Sequence, residues 1–169
     1  HLLSSGYQVF GVDPDKHNRN LFSSLGGLIF SNINDLTKQC KIVILSLPTV
    51  PIFKDVIKEI ENNKSLLETK IIIDMNTISL EDKLEAKNKL KKLKIELIDA
   101  PVSGTGAQAK LKDLVVMSSG LKSVVSECED IFEANLKIDE NRIYLTGLSM
   151  GGRGTFIVAS FRNPDSAST

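Results

Sequence analysis

The chain has 169 residues, of which 41% are hydrophobic and 25% charged, and these proportions are ordinary for a single globular domain. Its 21 lysines and arginines balance 21 aspartates and glutamates, so charge gives no indication of a nucleic acid or an anionic membrane as partner. No apolar run approaches the ~18–20 residues of a membrane span. Two distant cysteines, Cys40 and Cys128, lack metal-ligand spacing. We therefore expect a reduced, cytoplasmic protein without a metal site.

The first predicted elements surround an acidic residue at a strand end. Residues 1–5 are typical of the tail of a helix that stops at Gly6, so we expect the chain to be a fragment of a longer protein. Tyr7–Val12 is predicted to be a buried strand with Asp13 at its carboxyl end. In a dinucleotide-binding fold such a residue accepts a hydrogen bond from the adenine ribose 2′-OH. Before Pro14 it is equally typical of a helix-initiating turn.

Strands and helices alternate through the first half of the chain. Lys41–Leu47 is a near-continuous apolar run, as expected of a parallel strand buried on both faces. Pro48 then removes a backbone donor and fixes the turn that leaves this strand. The other elements predicted here are a helix at Lys16–Leu25, a strand at Leu28–Phe30, a short helix near Asn34–Thr37 and a helix at Ile52–Asn63.

A further buried strand and a lysine-rich helix follow. The strand is predicted at Lys70–Asp74, and the helix at Leu80–Leu93. Ser79, with Asp82 three residues later, is typical of a helix N-terminal cap. We expect the lysines in and after this helix to form a solvated face rather than an anion site; they are Lys83, Lys87, Lys89, Lys91, Lys92 and Lys94.

The stretch Ile95–Gly120 is the most informative part of the chain. A short apolar run ends in Asp99, and a loop rich in proline and glycine places Ser103 and Gly104 just beyond it. Ligands bind beyond the carboxyl ends of strands in open α/β sheets. A hydroxyl beside a glycine whose backbone allows close approach suits a small carboxylate. The alternation of elements through Gly120 predicts an α/β fold, a mostly parallel sheet with helices on both faces.

The segment Asp99-Ala-Pro-Val-Ser-Gly104 resembles the substrate-binding signature of the β-hydroxyacid dehydrogenases, the 3-hydroxyisobutyrate and 6-phosphogluconate dehydrogenase group. Many members have a second glycine where Thr105 stands and a turn glycine where Lys112 stands. The resemblance implies a Rossmann-like domain and an oxidoreductase that transfers hydride from a 3-hydroxy acid to NAD. It also implies a homo-oligomeric parent enzyme. It covers about residues 6–134, so residues 1–134 are expected to form a partial NAD(P)-binding domain.

The resemblance also assigns roles to individual residues. It favours the ribose role for Asp13, although His17 and Arg19 on the next helix leave NADP open as the cofactor. The segment Leu47-Pro48-Thr49 and the side chain of Thr77 would line the cofactor, and Ser103, Gly104 and Thr105 would hold the substrate carboxylate.

A second motif belongs to a different family. Gly147-Leu148-Ser149-Met150-Gly151 fits the G-x-S-x-G nucleophile elbow, whose tight turn needs glycine at its flanks. The segment at about 137–164 resembles the elbow of an α/β-hydrolase of the esterase kind, with Ser149 as nucleophile, and defines a second unit at 135–169. Acid and histidine normally follow the serine in this fold. The only histidines, His1 and His17, precede it, so we expect no useful hydrolysis.

The dehydrogenase resemblance leaves a central strand unaccounted for. The family's first strand and its G-x-G-x-x-G loop would precede His1, and the family's catalytic lysine lies in a later helical domain. We therefore expect this chain to be inactive, either a fragmentary or misjoined gene product or a non-catalytic nucleotide-binding module. One further hypothesis is that Arg142–Thr146, a glycine-rich turn and a helix through Phe161 fill the vacant position between Tyr7–Val12 and Lys41–Leu47.

Overall fold

The computed structural model describes residues 1–63, 65–111, 113–135 and 156–161. A 3₁₀ turn at Leu3–Ser5 comes first. The strands are β1 (Gln8–Val12), β2 (Leu28–Ile29), β3 (Ile42–Ser46), β4 (Ile71–Asp74), β5 (Glu96–Asp99), β6 (Val102–Ser103), β7 (Val115–Val116) and β8 (Phe156–Phe161). The helices are α1 (Lys16–Ser24), α2 (Ile33–Thr37), α3 (Val50–Asn62), α4 (Leu80–Lys92), α5 (Gly106–Lys110), α6 (Lys122–Glu127) and α7 (Glu129–Asn135).

Six strands form one sheet in the order β2-β1-β8-β3-β4-β5. The pairs β1–β2, β3–β4 and β4–β5 are parallel, whereas β8 is antiparallel to both of its neighbours. Strands β6 and β7 form a separate antiparallel pair beyond the end of β5. The described part of the chain is therefore a Rossmann-like α/β fold, which confirms the predicted fold class.

Strand β3 is buried on both faces of the sheet, and its sequence shows how this is achieved. Val43 and Leu45 join the cluster that contains residues of α2, α3 and α4. Ile42 and Ile44 join the opposite cluster, with Phe22 of α1 and residues of α7. Successive side chains of a strand point to opposite faces, so an uninterrupted apolar strand requires helices on both sides. The near-continuous apolar runs in the sequence are explained by this arrangement.

Side chains cap the two longest described helices, and one of these caps stands at the predicted position. Ser79 Oγ accepts a hydrogen bond from the Asp82 amide at 3.2 Å and donates one to the Asp82 carboxylate at 2.7 Å. Thr49 caps α3, and its hydroxyl accepts from the Ile52 amide at 3.4 Å. The predicted cap at Ser79 is confirmed. Among the described residues, the longest helices, α3 and α4, have 13 residues each, and no helix there has the length and apolar character needed to cross a membrane.

The position between β1 and β3 is filled, but not in the predicted way. A helix was expected through Phe161, whereas the chain forms a strand there, β8. Its residue Ile157 pairs with Val12 on one side and with Leu45 on the other. Paired backbone groups are required on the inner edges of two buried strands, and only an extended segment satisfies both edges at once. The other part of that hypothesis, a strand at Arg142–Thr146, lies outside the described residues.

Candidate functional site

The loops that carry the predicted site residues leave the sheet at one edge. Val12 and Leu45 lie in one row of the sheet because both pair with Ile157 of β8. Asp74 pairs with Leu45 on one side and with Asp99 on the other. The carboxyl ends of β1, β3, β4 and β5 therefore meet at the same edge, which is where ligands bind in open α/β sheets.

Asp13 follows β1 and is only 4% exposed. Its Oδ1 accepts a hydrogen bond from the Asp15 amide at 2.7 Å, and its Oδ2 accepts from Asn18 Nδ2 at 3.1 Å. The Arg19 guanidinium donates to the carbonyl oxygens of Asp13 and Pro14, both at 2.7 Å. These contacts are those of a turn residue that starts α1. The ribose role of Asp13 stays a prediction.

The loops after β3 and β4 present exposed side chains at this edge. Pro48, Thr49 and Thr77 are exposed, and Leu47 is half-buried. The Leu47 amide donates to Asn76 Oδ1 at 2.5 Å, which joins the two loops directly. The Leu47 amide is therefore not available to a ligand, whereas the side chains of Pro48 and Thr77 are exposed.

The loop after β5 carries the residues assigned to a substrate carboxylate. Ser103 lies in β6 and is exposed. Gly104 has φ +146°, and a Cβ at this position would lie 2.5 Å from Leu114 Cδ2. The glycine is therefore required by backbone conformation and by the packing of Leu114. Thr105 caps α5: its hydroxyl accepts from the Gln108 amide at 3.3 Å, and Gln108 Oε1 accepts from the Thr105 amide at 2.9 Å.

A buried lysine joins these loops, and sequence reasoning placed it wrongly on a solvated face. Lys83 Nζ lies 3.0 Å from Asp74 Oδ2, donates to the Asn76 carbonyl at 2.6 Å and contacts the Asp99 carboxylate. Its side chain is 8% exposed. The other lysines of the predicted face are exposed or half-buried. Lys83 differs from them because it shares the inward face of α4 with Ala86 and Leu90, which are also buried.

The carboxyl group of Asp74 lies deepest in this group of charges, with no exposed surface. Burial raises the pKa of Asp74, and the positive charge of Lys83 and the hydrogen bonds from Asn76 oppose that rise. Asp74 Oδ1 accepts from the Asn76 amide at 3.0 Å and from Asn76 Nδ2 at 2.5 Å. The side chain of Asp99 is 39% exposed, so the charged group extends from the interior to the surface of the edge.

Other reactive groups lie away from this edge or outside the described residues. Burial raises the pKa of the Cys40 thiol to about 12 and that of Cys128 to about 11, which keeps both thiols protonated. In the part of the chain that the structure describes, no cluster of three or more histidine, cysteine, aspartate or glutamate residues could hold a metal ion. Lys112 and Ser149, with the elbow around it, lie outside the described residues.

The residues predicted to contact the cofactor lie at this edge on either side of the centre of the sheet. Asp13 stands at the end of β1, and exposed threonines follow β3 and β4. In a doubly wound sheet the diphosphate sits on a helix N-terminus that follows the central parallel strand. Here β8 holds that central position and runs antiparallel to its neighbours. Its first residue, Phe156, therefore lies at the edge where the parallel strands end. Among the described residues we therefore assign no diphosphate contact.

Comparisons with known proteins agree with this architecture. A family model described as the NAD binding domain of 6-phosphogluconate dehydrogenase matches residues 1–146. The 2-hydroxy-3-oxopropionate reductase of Escherichia coli (strain K12) is 28% identical over 111 residues, which are 65% of this chain and 38% of the reductase.

Solved structures show the same fold. The 3-hydroxyisobutyrate dehydrogenase of Mycobacterium tuberculosis, solved with L-serine, has a TM-score of 0.73 and 24% identity over 80% of this chain and 46% of its own. Psf3, in complex with NADP+ and 2-OPP, has a TM-score of 0.71 and 19% identity over 80% of this chain and 48% of its own. This chain spans less than half the length of each of these relatives. The chain belongs to the family of NAD-binding domains of 6-phosphogluconate dehydrogenase.

Proposed function

We propose that this chain is the cofactor-binding part of an NAD-dependent oxidoreductase that acts on a 3-hydroxy acid. The observation that carries the proposal is the meeting of four strand ends at one edge of the sheet, in a chain whose residues 1–146 match an NAD-binding family. A bound NAD would supply the acceptor for the hydride that leaves the carbinol carbon of the acid. The protein binds and orients both molecules.

Each residue that the dehydrogenase resemblance assigns to a site has a place in this proposal. Asp13 holds the adenine ribose, and its negative charge disfavours the 2′-phosphate of NADP. Leu47-Pro48-Thr49 and Thr77 line the cofactor at the ends of β3 and β4. Ser103 and Gly104 hold the carboxylate of the hydroxy acid. The exposure of Ser103 supports its assignment, whereas Thr105 takes part by fixing the start of α5 beside the carboxylate, because its amide and its hydroxyl both belong to the cap of that helix.

Isothermal titration calorimetry with NAD and with NADP tests the cofactor assignment. We expect saturable binding of NAD and weaker binding of NADP. Asp13→Asn removes the charge and keeps an acceptor oxygen, so it is expected to narrow the difference between the two cofactors. Absence of saturable heat with NAD, for a chain shown to be folded by circular dichroism, would refute the proposal.

The hydroxy-acid assignment needs its own measurement. In ligand-observed NMR, 3-hydroxyisobutyrate is expected to bind the NAD-loaded chain and to lose binding in Ser103→Ala. Ser118→Ala is the matched control, because Ser118 is an exposed serine beyond the paired strand β7. A module that binds NAD but no hydroxy acid would show saturable NAD binding in calorimetry and no binding of 3-hydroxyisobutyrate in NMR.

The hydrolase interpretation gains no support from the comparisons. The family match ends at residue 146, before the elbow, and it belongs to the dehydrogenases. The two histidines lie at the start of the chain, where His1 Nε2 is 2.9 Å from the Ala109 carbonyl oxygen. We therefore assign no catalytic role to Ser149.

A further inference from the structure

We propose that Lys83 is a positioning residue that holds the three ligand loops after β3, β4 and β5 in one arrangement. The loops are residues 47–49, 76–77 and 99–105, and the inference rests on the proposed function in assigning these loops to cofactor and hydroxy acid. Lys83 itself is enclosed in the protein, with its side chain 8% exposed. It therefore acts on a ligand only through the groups that it contacts.

The ammonium group of Lys83 is surrounded by oxygens from two loops and the strands before them. An ammonium has three N–H donors and no acceptor. Around it lie Asp74 Oδ2 at 3.0 Å, the Asn76 carbonyl at 2.6 Å and the Asp99 carboxylate. Asp74 ends β4 and Asp99 ends β5, so one side chain from α4 fixes the exits of two neighbouring strands.

The third loop is reached through Asn76. Its main-chain and side-chain nitrogens both donate to Asp74 Oδ1, at 3.0 and 2.5 Å. This leaves Asn76 Oδ1 oriented toward the Leu47 amide, which donates to it at 2.5 Å. A change at Lys83 is thus transmitted to the loop after β3 by a hydrogen-bonded chain, although Lys83 has no direct contact with Leu47 among the contacts described.

The same group is linked to the substrate loop on its exposed side. Asp99 is the first residue of the segment that carries Ser103, and its main chain exchanges hydrogen bonds with Ser119 at 2.9 and 2.7 Å. The Met117 amide donates to the Pro101 carbonyl at 3.1 Å, which continues the pairing along the loop. Asp99 therefore joins the loop to the buried charges at one end and to the β6–β7 pair at the other.

The placement of these charges favours a positioning role over a purely stabilising one. Replacing a buried ion pair with apolar residues is often neutral for stability. Here the partners of Lys83 lie at the exits of β4 and β5 rather than in the middle of the sheet, so its contacts join two neighbouring loops. Buried networks of charges and hydrogen bonds specify one arrangement of the groups that they join.

Hydrogen exchange of the Leu47 amide, combined with NAD affinity, tests the proposal. In Lys83→Met we expect Leu47 to exchange about tenfold faster, while Val43 and Ile44 in the middle of β3 keep their wild-type rates. The dissociation constant for NAD is expected to rise about tenfold under conditions where the variant is folded. Lys87→Met is the matched control, because Lys87 is an exposed lysine one turn along the same helix.

A second variant keeps the test decisive if Lys83→Met does not fold. Asn76→Ala cuts the link to Leu47 without changing a charge, and it is expected to raise both the Leu47 exchange rate and the NAD dissociation constant. In the double variant the two changes should not add, because both act through one chain of contacts. Additive effects on NAD affinity would overturn the proposal, and so would a protected Leu47 amide in Lys83→Met.

If Asn76→Ala leaves the Leu47 exchange rate and the NAD affinity unchanged, the proposal is wrong even when Lys83→Met cannot be folded. If the wild type binds no dinucleotide, the proposed function fails, while the exchange rates still decide the role of Lys83.

Discussion

Lys83→Met is expected to lower the free energy of unfolding far more than Lys83→Met combined with Asp74→Asn, its most buried partner. Lys83→Met keeps the length of the side chain and deletes the ammonium next to Asp74, whose side chain has no exposed surface. Breaking a buried ion pair by removing one partner costs about 3–5 kcal/mol, because the other charge stays buried without compensation. Lys83→Met combined with Asp74→Asn leaves no such charge on β4. The free energy of unfolding of this double variant is expected to lie within about 1 kcal/mol of the wild-type value, since replacement of a buried ion pair by neutral groups is often tolerated.

The pH dependence of the single variant supplies a second check. In the wild type, burial already raises the pKa of Asp74 while Lys83 opposes the rise. Without Lys83 the folded-state pKa rises further above the ordinary value of 3.8. An acid whose pKa is raised on folding binds more protons in the native state, so stability is fully present below the ordinary pKa and is lost as pH rises through the folded pKa. The stability of Lys83→Met should therefore be close to that of the wild type at low pH and become lower than that of the wild type as the pH rises toward neutral.

Urea unfolding at several pH values, followed by circular dichroism, measures both effects. The quantities to compare are the free energies of unfolding of the wild type, Lys83→Met, the double variant and the exposed control Lys87→Met. A loss of less than about 1 kcal/mol in Lys83→Met at pH 7 would refute the reasoning. A Lys83→Met variant whose deficit is constant from pH 4 to pH 8 would also refute it, because the deficit must follow the ionisation of Asp74.

Three further predictions concern other parts of the fold. Val158→Pro removes one backbone donor from β8 between β1 and β3. The acceptor left without its donor should lower the free energy of unfolding in urea by about 1–3 kcal/mol. Val158→Ala keeps the donor and serves as the control. Gly104→Ala should destabilise the loop by about 1–3 kcal/mol because φ is +146°. Adding Leu114→Ala should recover only the steric part of that cost, and a full recovery would contradict the conformational argument. Cys40 and Cys128 should react with a thiol reagent only in urea, because burial raises their pKa values to about 12 and 11; rapid labelling of the native chain would contradict this.

Lys83, which sequence reasoning placed on a solvated face, has a role that distant contacts decide. Lys83 stands among five other lysines and resembles them locally, yet it points inward toward two aspartates on neighbouring strands. One signal was available: Lys83, Ala86 and Leu90 recur at the spacing of a single helix face. Thr105 presents the opposite situation, because its capping box with Gln108 is a purely local pattern.

The sequence by itself determined the repeated apolar strands, the helix cap at Ser79 and the loop that begins at Asp99, because strand periodicity, capping and turn chemistry depend on neighbours a few residues apart. These local patterns were sufficient to predict the α/β class. Only the tertiary structure decided that Phe156–Phe161 fills the centre of the sheet in the antiparallel direction and that Lys83 joins Asp74 to Asp99. An extended segment satisfies the same backbone donors and acceptors in either direction, and a lysine is buried only where opposite charges meet it. Both outcomes depend on residues that are brought together by folding.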